Sequence, residues 1–504
     1  MAVSPPDPEG REVDGAWIVK GPKDLGRVLI LGCGPTGCGA AWRLEETGHV
    51  DYQILEAADE PGGLAASVVD EAGFTWDLGG HVQFSHYRYY DRVLDTAVSD
   101  GWLRHERESW VWIDGRFVPY PLQYNIHRLA PEVREHVLDG LRRATARRPG
   151  DSEPGTLAEW IERTYGRPLA ERFLLPYNAK VWGYPLDDMG WGWVGDRVAV
   201  PDLERVERNV RDMKDDSGWG PNDQFRYPEH GGTGTIWRSI SARLGAGRVR
   251  LGARVKSIDA RRRTVRLESG EVEAYDTLVS SIPLDLLTRI TDPLPAAVTA
   301  AARSLRYSSV HILGVGLQGG RPATMDTKCW IYFPERQSPY YRVTLFSNYS
   351  PHLVPEGDGV WSLMAEVCDS PHRPVDAARL PAWTVESMKR DGLIDGEARI
   401  ASLWHRRLER GYPTPTLTRD RALEIVQPAL ESLGIYSRGR FGGWKYEVSN
   451  QDHSFMQGVE LVDRLLGGAP EVTYPHPVRA NSGEFLTGDG ERSSALGPGK
   501  KSPP

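Results

Sequence analysis

The sequence of 504 residues has little cysteine, no long apolar run and no excess of positive charge. Its four cysteines, Cys33, Cys38, Cys329 and Cys368, are too few for a disulfide framework and match no zinc-ligand spacing, so reduced buried thiols are expected and no metal site. No apolar run approaches the roughly 18 residues that a membrane-spanning helix needs. The net charge of -8 argues against a general nucleic-acid binder, because phosphate backbones require a broad basic surface. Any anionic ligand must therefore be bound by local positive charge within a pocket.

Both ends of the chain are poor in apolar residues. The opening MAVSPPDPEGREVDG lacks the basic segment and apolar core of a secretory signal, and the predicted location is cytoplasmic. Prolines and acidic residues before about residue 24, and SSALGPGKKSPP at the other end, predict disordered tails. The length between the tails exceeds what one ordinary core supports, so two or three domains are expected.

The first ordered element, RVLILGCGPTGCGAAWRL, is a candidate dinucleotide-binding unit. A short apolar strand ending at Leu31 leads into the spacing G-x-G-x-x-G, formed by Gly32, Gly34 and Gly37, and a helix pattern follows. Such a unit aims a helix N-terminus at a pyrophosphate. A second strand, DYQILEA, ends in Glu56, whose carboxylate can accept ribose hydroxyls. Together these features predict a bound dinucleotide.

The glycines that follow favour FAD over NAD. Gly62 and Gly63 lie in EAADEPGGLAAS, and Gly79 and Gly80 lie in DLGGHVQFS. Because glycine has no Cβ, successive diglycines let the backbone approach a long extended cofactor. The alternative interpretation is that they are only turns, but the order of acidic residue and diglycines is that of FAD proteins of the amine-oxidase type.

Downstream patterns predict two subdomains beside a discontinuous cofactor domain. From about residue 125 to 215 apolar positions recur at helical spacing, whereas from about 305 to 370 the pattern is strand-like. A hairpin pattern that returns to a buried strand, Thr277 to Ile282, indicates that the chain rejoins the first domain. The predicted class is α/β, with a Rossmann-like FAD-binding domain, a helical subdomain and an antiparallel β-sheet subdomain. The predicted bounds are 1–24 for a tail, 25–105, 226–300 and 431–470 for the FAD-binding domain, 106–225 for the helical substrate subdomain with flaps, 301–430 for the sheet subdomain and 471–504 for a C-terminal tail.

Two arginines stand among aromatic residues. Arg197 ends the stretch PYNAKVWGYPLDDMGWGWVGDR, and Arg342 lies in PYYRV. Two guanidinium groups beside aromatic faces suit a diphosphate and a base or sugar ring, although a surface salt bridge is the plainer interpretation of either arginine alone. Tyr332, Tyr412 and Tyr446 are either core tyrosines or walls of the same pocket.

Long blocks of this sequence resemble UDP-galactopyranose mutase of the eukaryotic type. They run collinearly from about residue 25 to 470 and include GGHVQFSHYRYYD, KCWIYFPERQSPYYRVTLFSNYSP and RGRFGGWKYEVSNQDHSFMQG. The resemblance implies an isomerase that interconverts the pyranose and furanose forms of a nucleotide-diphosphate galactose, with UDP-galactose as the default substrate. Reduced FAD would act through a covalent adduct between its N5 and the sugar. The implied partner is a nucleotide sugar, not a nucleic acid or a membrane, and a homo-oligomer stays open.

The resemblance also implies roles for individual positions. The catalytic set comprises two diphosphate-binding arginines, a histidine against the flavin and a flap residue, namely Arg197, Arg342, His81 and Asn222. The implied substrate-binding residues are Phe84, Tyr120, Leu122, Gln123, Asn178, Trp182, Trp330, Tyr332, Tyr412 and Tyr446. The implied flavin-binding residues are Gly32, Gly34, Gly37, Glu56, Gly62, Gly63, Gly80, Val255, Arg440, Asn450 and Gln451. Arg107 and Ser109 match positions that help to seat NADPH, the expected reductant of the flavin.

One position departs from the family pattern, and two other classes of protein remain as alternatives. Leu122 stands where the eukaryotic enzymes have phenylalanine beside the nucleobase, which could widen the slot for a GDP- or dTDP-linked hexose in the same reaction. An FAD-dependent amine or protoporphyrinogen-type oxidase would share the cofactor domain but has no use for the paired arginines. A non-catalytic flavin-binding scaffold would not need the arginines, the flaps and the histidine loop together.

Overall fold

The computed structural model describes residues 24–146, 152–220 and 223–482. In chain order the strands are β1 (Val28–Leu31), β2 (Tyr52–Leu55), β3 (Ser67–Val69), β4 (Thr75–Asp77), β5 (Trp102–Glu106), β6 (Ser109–Ile113), β7 (Arg116–Pro119), β8 (Gln224–Pro228), β9 (Val249–Arg250), β10 (Val255–Asp259), β11 (Thr264–Leu267), β12 (Val272–Ala274), β13 (Thr277–Ser280), β14 (Thr291–Asp292), β15 (Arg306–Gln318), β16 (Trp330–Tyr332), β17 (Arg342–Thr344), β18 (Val360–Asp369), β19 (Arg399–Thr414) and β20 (Ile435–Ser437). The helices are α1 (Pro35–Glu46), α2 (Arg88–Ala97), α3 (Pro131–Thr145), α4 (Leu157–Tyr165), α5 (Arg167–Leu169), α6 (Leu175–Trp182), α7 (Leu203–Asp212), α8 (Gly234–Arg243), α9 (Leu284–Ile290), α10 (Ala296–Ser304), α11 (Leu380–Arg390), α12 (Arg419–Glu431), α13 (Gln451–Leu465) and α14 (Pro477–Asn481).

A five-stranded parallel sheet forms the centre of the cofactor domain. Its order is β20, β13, β1, β2, β9, and every neighbouring pair is parallel. All four residues of β1 are buried, as expected for a central parallel strand that is covered on both faces. The strands come from three distant parts of the chain, so this domain is assembled from separate segments. The carboxyl ends of β1 and β2 meet at one edge, where open α/β sheets bind ligands.

Helices α1 and α13 pack against each other so closely that glycine is required at their contact. A Cβ added to Gly39 in α1 would strike the carbonyl oxygen of Phe455 in α13. Reciprocally, a Cβ on Gly458 in α13 would strike the carbonyl oxygen of Thr36. This contact fixes the N-terminus of α13 beside the glycine-rich turn that precedes α1.

A seven-stranded sheet forms the second body of the fold. Its order is β19, β15, β18, β17, β16, β6, β7, and all pairs are antiparallel except β16 with β6. Strands β6 and β7 lie in the segment that was expected to be helical. They belong to the sheet because alternate residues of SWVWI, among them Val111 and Ile113, are buried while those between them are partly exposed.

The remaining elements are the helices of the helical subdomain, a four-stranded sheet and two two-stranded sheets. Helices α3 to α7 enclose an apolar core that includes Val137, Leu141, Ile161 and Phe173. A four-stranded sheet of β12, β11, β10 and β14 and two two-stranded antiparallel sheets, β3 with β4 and β5 with β8, make up the rest of the strands. Within the described ranges, no helix combines the length and apolar character needed to cross a membrane.

The contact between α1 and α13 predicts the effect of one substitution. Gly458→Ala should lower the free energy of unfolding by about 2 kcal/mol, because the clash with the α1 backbone outweighs the roughly 1 kcal/mol gained in helix propensity. Urea unfolding of both proteins measures the difference. Gly396→Ala is the matched control, since a Cβ there meets no heavy atom within 4 Å. Equal midpoints for Gly458→Ala and the parent would contradict the prediction.

Candidate active site

A cavity of about 840 Å³ lies between the carboxyl edge of the parallel sheet and the inner face of the seven-stranded sheet. One end is formed by the turn after β1, by Glu56 at the end of β2 and by Gly63. The loop from Gly79 to Phe84 and the N-terminus of α13 line its middle. Its size and position are those of a buried site for an extended ligand.

The glycine-rich end of the cavity is shaped for a dinucleotide. A Cβ on Gly37 would strike the carbonyl oxygen of Gly32, so the turn between β1 and α1 can close only with glycine at this position. Glu56 Oε2 accepts a hydrogen bond from the Cys33 backbone N–H at 2.6 Å, and its Oε1 accepts one from the Ala58 N–H at 2.9 Å. The carboxylate is thereby held at the tip of β2, beside the N-terminus of α1. These residues fit the pyrophosphate and ribose of FAD.

The sequence predicted buried thiols, and the structure places all four of them in the interior. The four cysteines are free and buried, and the Cys33 and Cys38 Sγ atoms lie 3.9 Å apart beneath the glycine-rich turn. The hydrogen bond with Cys33, together with burial, raises the pKa of the Cys38 thiol well above its usual value. The thiol therefore stays protonated and serves as packing.

Glu366 is the buried acid at the centre of the cavity wall. It lies on β18 with 2% of its surface exposed, and it accepts hydrogen bonds from Arg342 Nε at 3.0 Å and Arg342 Nη2 at 2.6 Å. Its other contacts are with the Gly80 N–H at 2.8 Å and the Tyr341 hydroxyl at 2.6 Å. Burial opposes ionisation of Glu366, but Arg342 outweighs it and lowers the pKa of the carboxyl. Arg342 is thus in a buried ion pair that orients it, not in a surface salt bridge.

His81 follows the second diglycine and lines the cavity. The pKa of its imidazole is lowered to about 4, mainly by burial; the charge of Glu366 opposes this shift, and the nearby Arg440 and Arg342 add to it. Its Nδ1 is buried without a hydrogen-bond partner in the described part of the chain. His81 is therefore a neutral imidazole with a free ring nitrogen, available to a bound ligand.

Arg197 is a half-buried cation without a carboxylate hydrogen-bond partner in the described residues. It ends the short 3-10 turn Gly195–Arg197 and lines the cavity. Its Nη1 donates to Asn481 Oδ1 at 3.0 Å, and its guanidinium carbon lies 5.8 Å from the centre of the Tyr446 ring. Burial lowers the pKa of this guanidinium, yet arginine remains charged at neutral pH. The charges of Glu447 and Asp452 favour the charged form of Arg197, but no carboxylate in the described residues pairs with it directly. A half-buried cation of this kind marks a place for an anionic ligand.

Arg440 adds to this positive potential, since it too has no carboxylate partner among the residues that the structure describes. Arg440 lies 5.0 Å from the centre of the Tyr412 ring and 5.7 Å from that of Tyr446. It donates to the carbonyl oxygen of Gly411 at 2.9 Å and to Ser449 Oγ at 2.9 Å, both of which are neutral. The cavity therefore carries more positive than negative charge beside its tyrosines.

The tryptophans that precede Arg197 support this wall from behind. Trp182 is buried and packs edge-on against Tyr446 and Trp193, each with a ring separation of 4.9 Å, and against Tyr412 at 5.8 Å. Trp193 packs edge-on against Tyr446 at 5.3 Å. The aromatic cluster thus holds the tyrosine that lies beneath the guanidinium of Arg197.

The structure brings most of the singled-out residues to one cavity. Those that line it are Gly32, Gly34, Glu56, Gly63, Gly80, His81, Phe84, Arg197, Val255, Trp330, Tyr332, Arg342, Tyr412, Arg440, Tyr446, Asn450 and Gln451. Those placed away from its wall are Gly37, Gly62, Arg107, Ser109, Tyr120, Leu122, Gln123, Asn178 and Trp182. Asn222 lies outside the described residues.

The residues behind the wall are engaged in packing. Tyr120 packs edge-on against Tyr332 at 5.0 Å, and the guanidinium of Arg107 lies over the Tyr120 ring. Leu122 has no exposed surface and belongs to the core of the helical subdomain.

Amide groups in the same region bond to nearby carbonyls. Gln123 Nε2 donates to the carbonyl oxygen of Ala199 at 2.5 Å, and Asn178 Nδ2 donates to that of Leu174 at 2.8 Å. In this conformation neither side chain points its donors into the cavity.

Three functional residues were missed by sequence reasoning. Glu366 could have been noticed as an acid in the interior of the apolar strand VWSLMAEVCD, whose other acid, Asp369, is its last residue. Asp452 lines the cavity at the start of α13, where its Oδ2 accepts a hydrogen bond from His86 Nδ1 at 2.8 Å. No sequence pattern marked Asn481, because it lies in the segment that was expected to be a tail.

Comparison with known proteins identifies the family. The family model of flavin containing amine oxidoreductases matches residues 36–360. A structure of reduced UDP-galactopyranose mutase is 47% identical, with a TM-score of 0.88, over 90% of this chain and 97% of that one. The chain belongs to the UDP-galactopyranose mutase family. It is a mutase-family isomerase whose cofactor is FAD, and both the resemblance and the predicted fold class are confirmed.

More distant structures share the fold of this mutase-family enzyme. A putative protoporphyrinogen oxidase from an Exiguobacterium species is 18% identical, with a TM-score of 0.66, over 88% of this chain and 98% of that one. A putrescine oxidase bound to putrescine is 16% identical, with a TM-score of 0.56, over 88% and 99%. At such identities the likeness is one of fold alone.

The neutral state of His81 predicts a pH dependence of stability. Because its pKa is lower in the folded than in the unfolded chain, the unfolded chain binds more protons between about pH 6.5 and 4, and stability falls as pH drops through this window. Between pH 7 and pH 5 the parent should lose about 2 kcal/mol more unfolding free energy than His81→Gln. Urea unfolding of both proteins at the two pH values measures this, with the exposed His230→Gln as a substitution control. The same pH dependence in parent and His81→Gln would refute it.

Proposed function

We propose that this mutase-family enzyme interconverts the pyranose and furanose forms of a nucleotide-diphosphate galactose or related hexose, with UDP-galactose as the default substrate. The observation that carries the proposal is Arg197, a half-buried cation that lines the cavity and whose hydrogen-bonding side-chain partner within the described ranges is an amide rather than a carboxylate. Arg342 lines the same cavity and is oriented by Glu366. Two fixed guanidinium groups suit the two phosphates of a nucleotide sugar.

The tyrosines of the wall can assist the arginines. Burial raises the pKa of Tyr412 to about 12, so its hydroxyl stays protonated at neutral pH. The Tyr341 hydroxyl gives its single proton to Glu366 Oε2 at 2.6 Å, so at the 3.3 Å contact between the two hydroxyls Tyr412 is the possible donor, and its proton can be directed either to Tyr341 or into the cavity. Tyr446, whose ring lies near both Arg197 and Arg440, lines the cavity next to it. Protonated hydroxyls and guanidinium groups together would retain a departing diphosphate, whose charge grows as its bond to the sugar breaks.

The chain also holds the cofactor and orients it. Glycines of the first turn, Glu56, Asn450 and Gln451 would contact FAD, and Gln451 is fixed because its Oε1 accepts a hydrogen bond from Trp237 Nε1 at 3.1 Å. The chemistry that bound, reduced FAD supplies is nucleophilic attack by N5 at the anomeric carbon of the sugar. His81, neutral and with a free Nδ1, is suited to hydrogen-bond a ligand group beside it without adding charge.

The proposed reductant is NADPH, seated with the help of Arg107 and Ser109. In its favour, Arg107 donates to the carbonyl oxygen of Trp219, and Trp219 lines the cavity. The guanidinium of Arg107 therefore lies close to the rim. The cytoplasmic location stays a prediction. The formation of a homo-oligomer stays an open question.

The identity of the base does not follow from Leu122. Its side chain is buried in the helical core, so this position by itself opens no wider slot in the cavity wall. UDP-galactose remains the default substrate, and GDP- or dTDP-linked hexoses remain alternatives for the same reaction. An amine oxidase is disfavoured, because a cationic amine would be repelled by Arg197 and Arg440.

Product analysis tests the proposal and names the base. Enzyme reduced with dithionite is offered UDP-galactose, GDP-linked hexoses and dTDP-linked hexoses separately, and the products are resolved by chromatography. A furanose product should appear with UDP-galactose and only when the flavin is reduced. If no nucleotide sugar isomerises while the flavin stays bound and reduced, the proposal fails, and oxygen consumption with amines becomes the next assay.

Substitution of the two arginines tests their role. Arg197→Ala and Arg342→Ala should each lower kcat about 10²- to 10³-fold while FAD stays bound, because each removes charge stabilisation of the leaving diphosphate. Steady-state kinetics and the absorbance of bound flavin measure the two quantities. Arg262→Ala is the control, since that side chain is 84% exposed on the surface.

A further variant separates activity from folding. Arg342→Ala leaves Glu366 buried and unpaired, so Arg342→Lys, which keeps a cation beside it, distinguishes lost catalysis from lost stability. Near-parent rates in both alanine variants would defeat the assignment of the diphosphate site.

A further inference from the structure

The end of the described chain folds back onto the active site. After α13, Glu471 forms a buried ion pair with Arg438, at 2.5 Å from Oε2 to Nε and 2.8 Å from Oε1 to Nη2. The backbone N–H groups of Val472 and Thr473 donate to Glu460 Oε2 at 2.9 and 2.8 Å. These bonds fasten the segment from residue 471 to 482, which we call the C-terminal segment, to the cofactor domain.

The last helix of this segment reaches the turn that carries Arg197. Asn481, at the end of α14, accepts the Arg197 Nη1 hydrogen bond at 3.0 Å through its Oδ1. Its Nδ2 donates to the carbonyl oxygens of Glu447 at 3.0 Å and Pro477 at 2.8 Å. The orientation of the amide is fixed by this pattern, because only the NH₂ group can serve two carbonyl acceptors. Glu447 immediately follows Tyr446, whose ring lies beneath the guanidinium.

We propose that Asn481 is a positioning residue for Arg197 and that the C-terminal segment thereby completes the diphosphate site. This inference rests on the proposed function. A guanidinium has five N–H donors, and Asn481 occupies one of them, which leaves the others for phosphate oxygens. An amide fixes the group without neutralising it, whereas Arg342 is held by the carboxylate of Glu366. The site therefore keeps one arginine at full charge and in a defined place before substrate arrives.

Two substitutions of Asn481 have different expected effects. Asn481→Ala frees the guanidinium and should lower kcat/KM for UDP-galactose about 10-fold, with unchanged flavin content. Asn481→Asp places a carboxylate on Arg197 that competes with the diphosphate, so its loss of activity should be larger. Because protonation of the aspartate removes this competition, the deficit of Asn481→Asp should shrink at lower pH, which a purely structural defect would not do. Val478→Ala, in the same helix and 81% exposed, is the control.

The test is a double-mutant cycle with Arg197→Ala. In that background Asn481→Ala should change kcat/KM less than twofold, since the group that it positions is gone. A 10-fold loss in both backgrounds, or no loss in either, would overturn the inference.

Binding of UDP, followed by titration calorimetry on the oxidised FAD-bound enzyme, separates this inference from the proposed function. If the parent isomerises UDP-galactose but Asn481→Ala matches it in both turnover and UDP affinity, the inference fails and the function stands. If the parent isomerises no nucleotide sugar, the function fails and UDP and pyrophosphate titrations decide the inference. Weaker binding by Asn481→Ala that disappears in the Arg197→Ala background supports it, and equal binding by parent and Asn481→Ala refutes it.

Discussion

The buried ion pair of Glu366 with Arg342 is the interaction on which the active site depends. A carboxylate with 2% of its surface exposed is tolerated only when its lone pairs are occupied, and here Arg342, Tyr341 and the Gly80 N–H occupy them. Gly80 belongs to the loop of the cofactor domain, whereas the other partners belong to the seven-stranded sheet. The Glu366 carboxylate therefore links the cofactor domain to the seven-stranded sheet. It also orients the guanidinium of Arg342 and fixes the backbone of Gly80, which precedes His81.

The two arginines of the proposed diphosphate site are held in different ways, and this difference affects how each would act on an anion. Arg342 is paired with a carboxylate, so its net contribution to the cavity is small until substrate redistributes the hydrogen bonds. Arg197 is oriented by the amide of Asn481 and the face of Tyr446, and no carboxylate in the described part of the chain pairs with it directly. An anion is therefore attracted chiefly by Arg197 and Arg440, while Arg342 provides geometry. The tryptophans before Arg197 are explained by this arrangement, since Trp182 and Trp193 fix the tyrosine beneath it.

Local sequence predicted the parts of the fold that local chemistry controls. The glycine spacing after β1, the carboxylate of Glu56 at the end of β2 and the helical period of α3 all refer to near neighbours, and the structure has each of them in place. Strands β6 and β7 were missed because β6 pairs with β16, more than 200 residues away in the chain, and β7 joins the sheet through β6. Leu122, Gln123 and Asn178 were matched to substrate-binding positions, but a motif match cannot report that packing and backbone carbonyls engage their side chains in this conformation.

The sequence by itself determined the cofactor class and the family, because phosphate-binding turns and long ordered motif blocks consist of consecutive residues. It also determined which arginines stand among aromatic residues. Only the tertiary structure decided how those arginines are charged and held, since Glu366 lies 24 residues from Arg342 and Asn481 lies 284 residues from Arg197. A partner at such a distance is set by the packing of α13, α14 and the seven-stranded sheet around one cavity, and no local pattern encodes it.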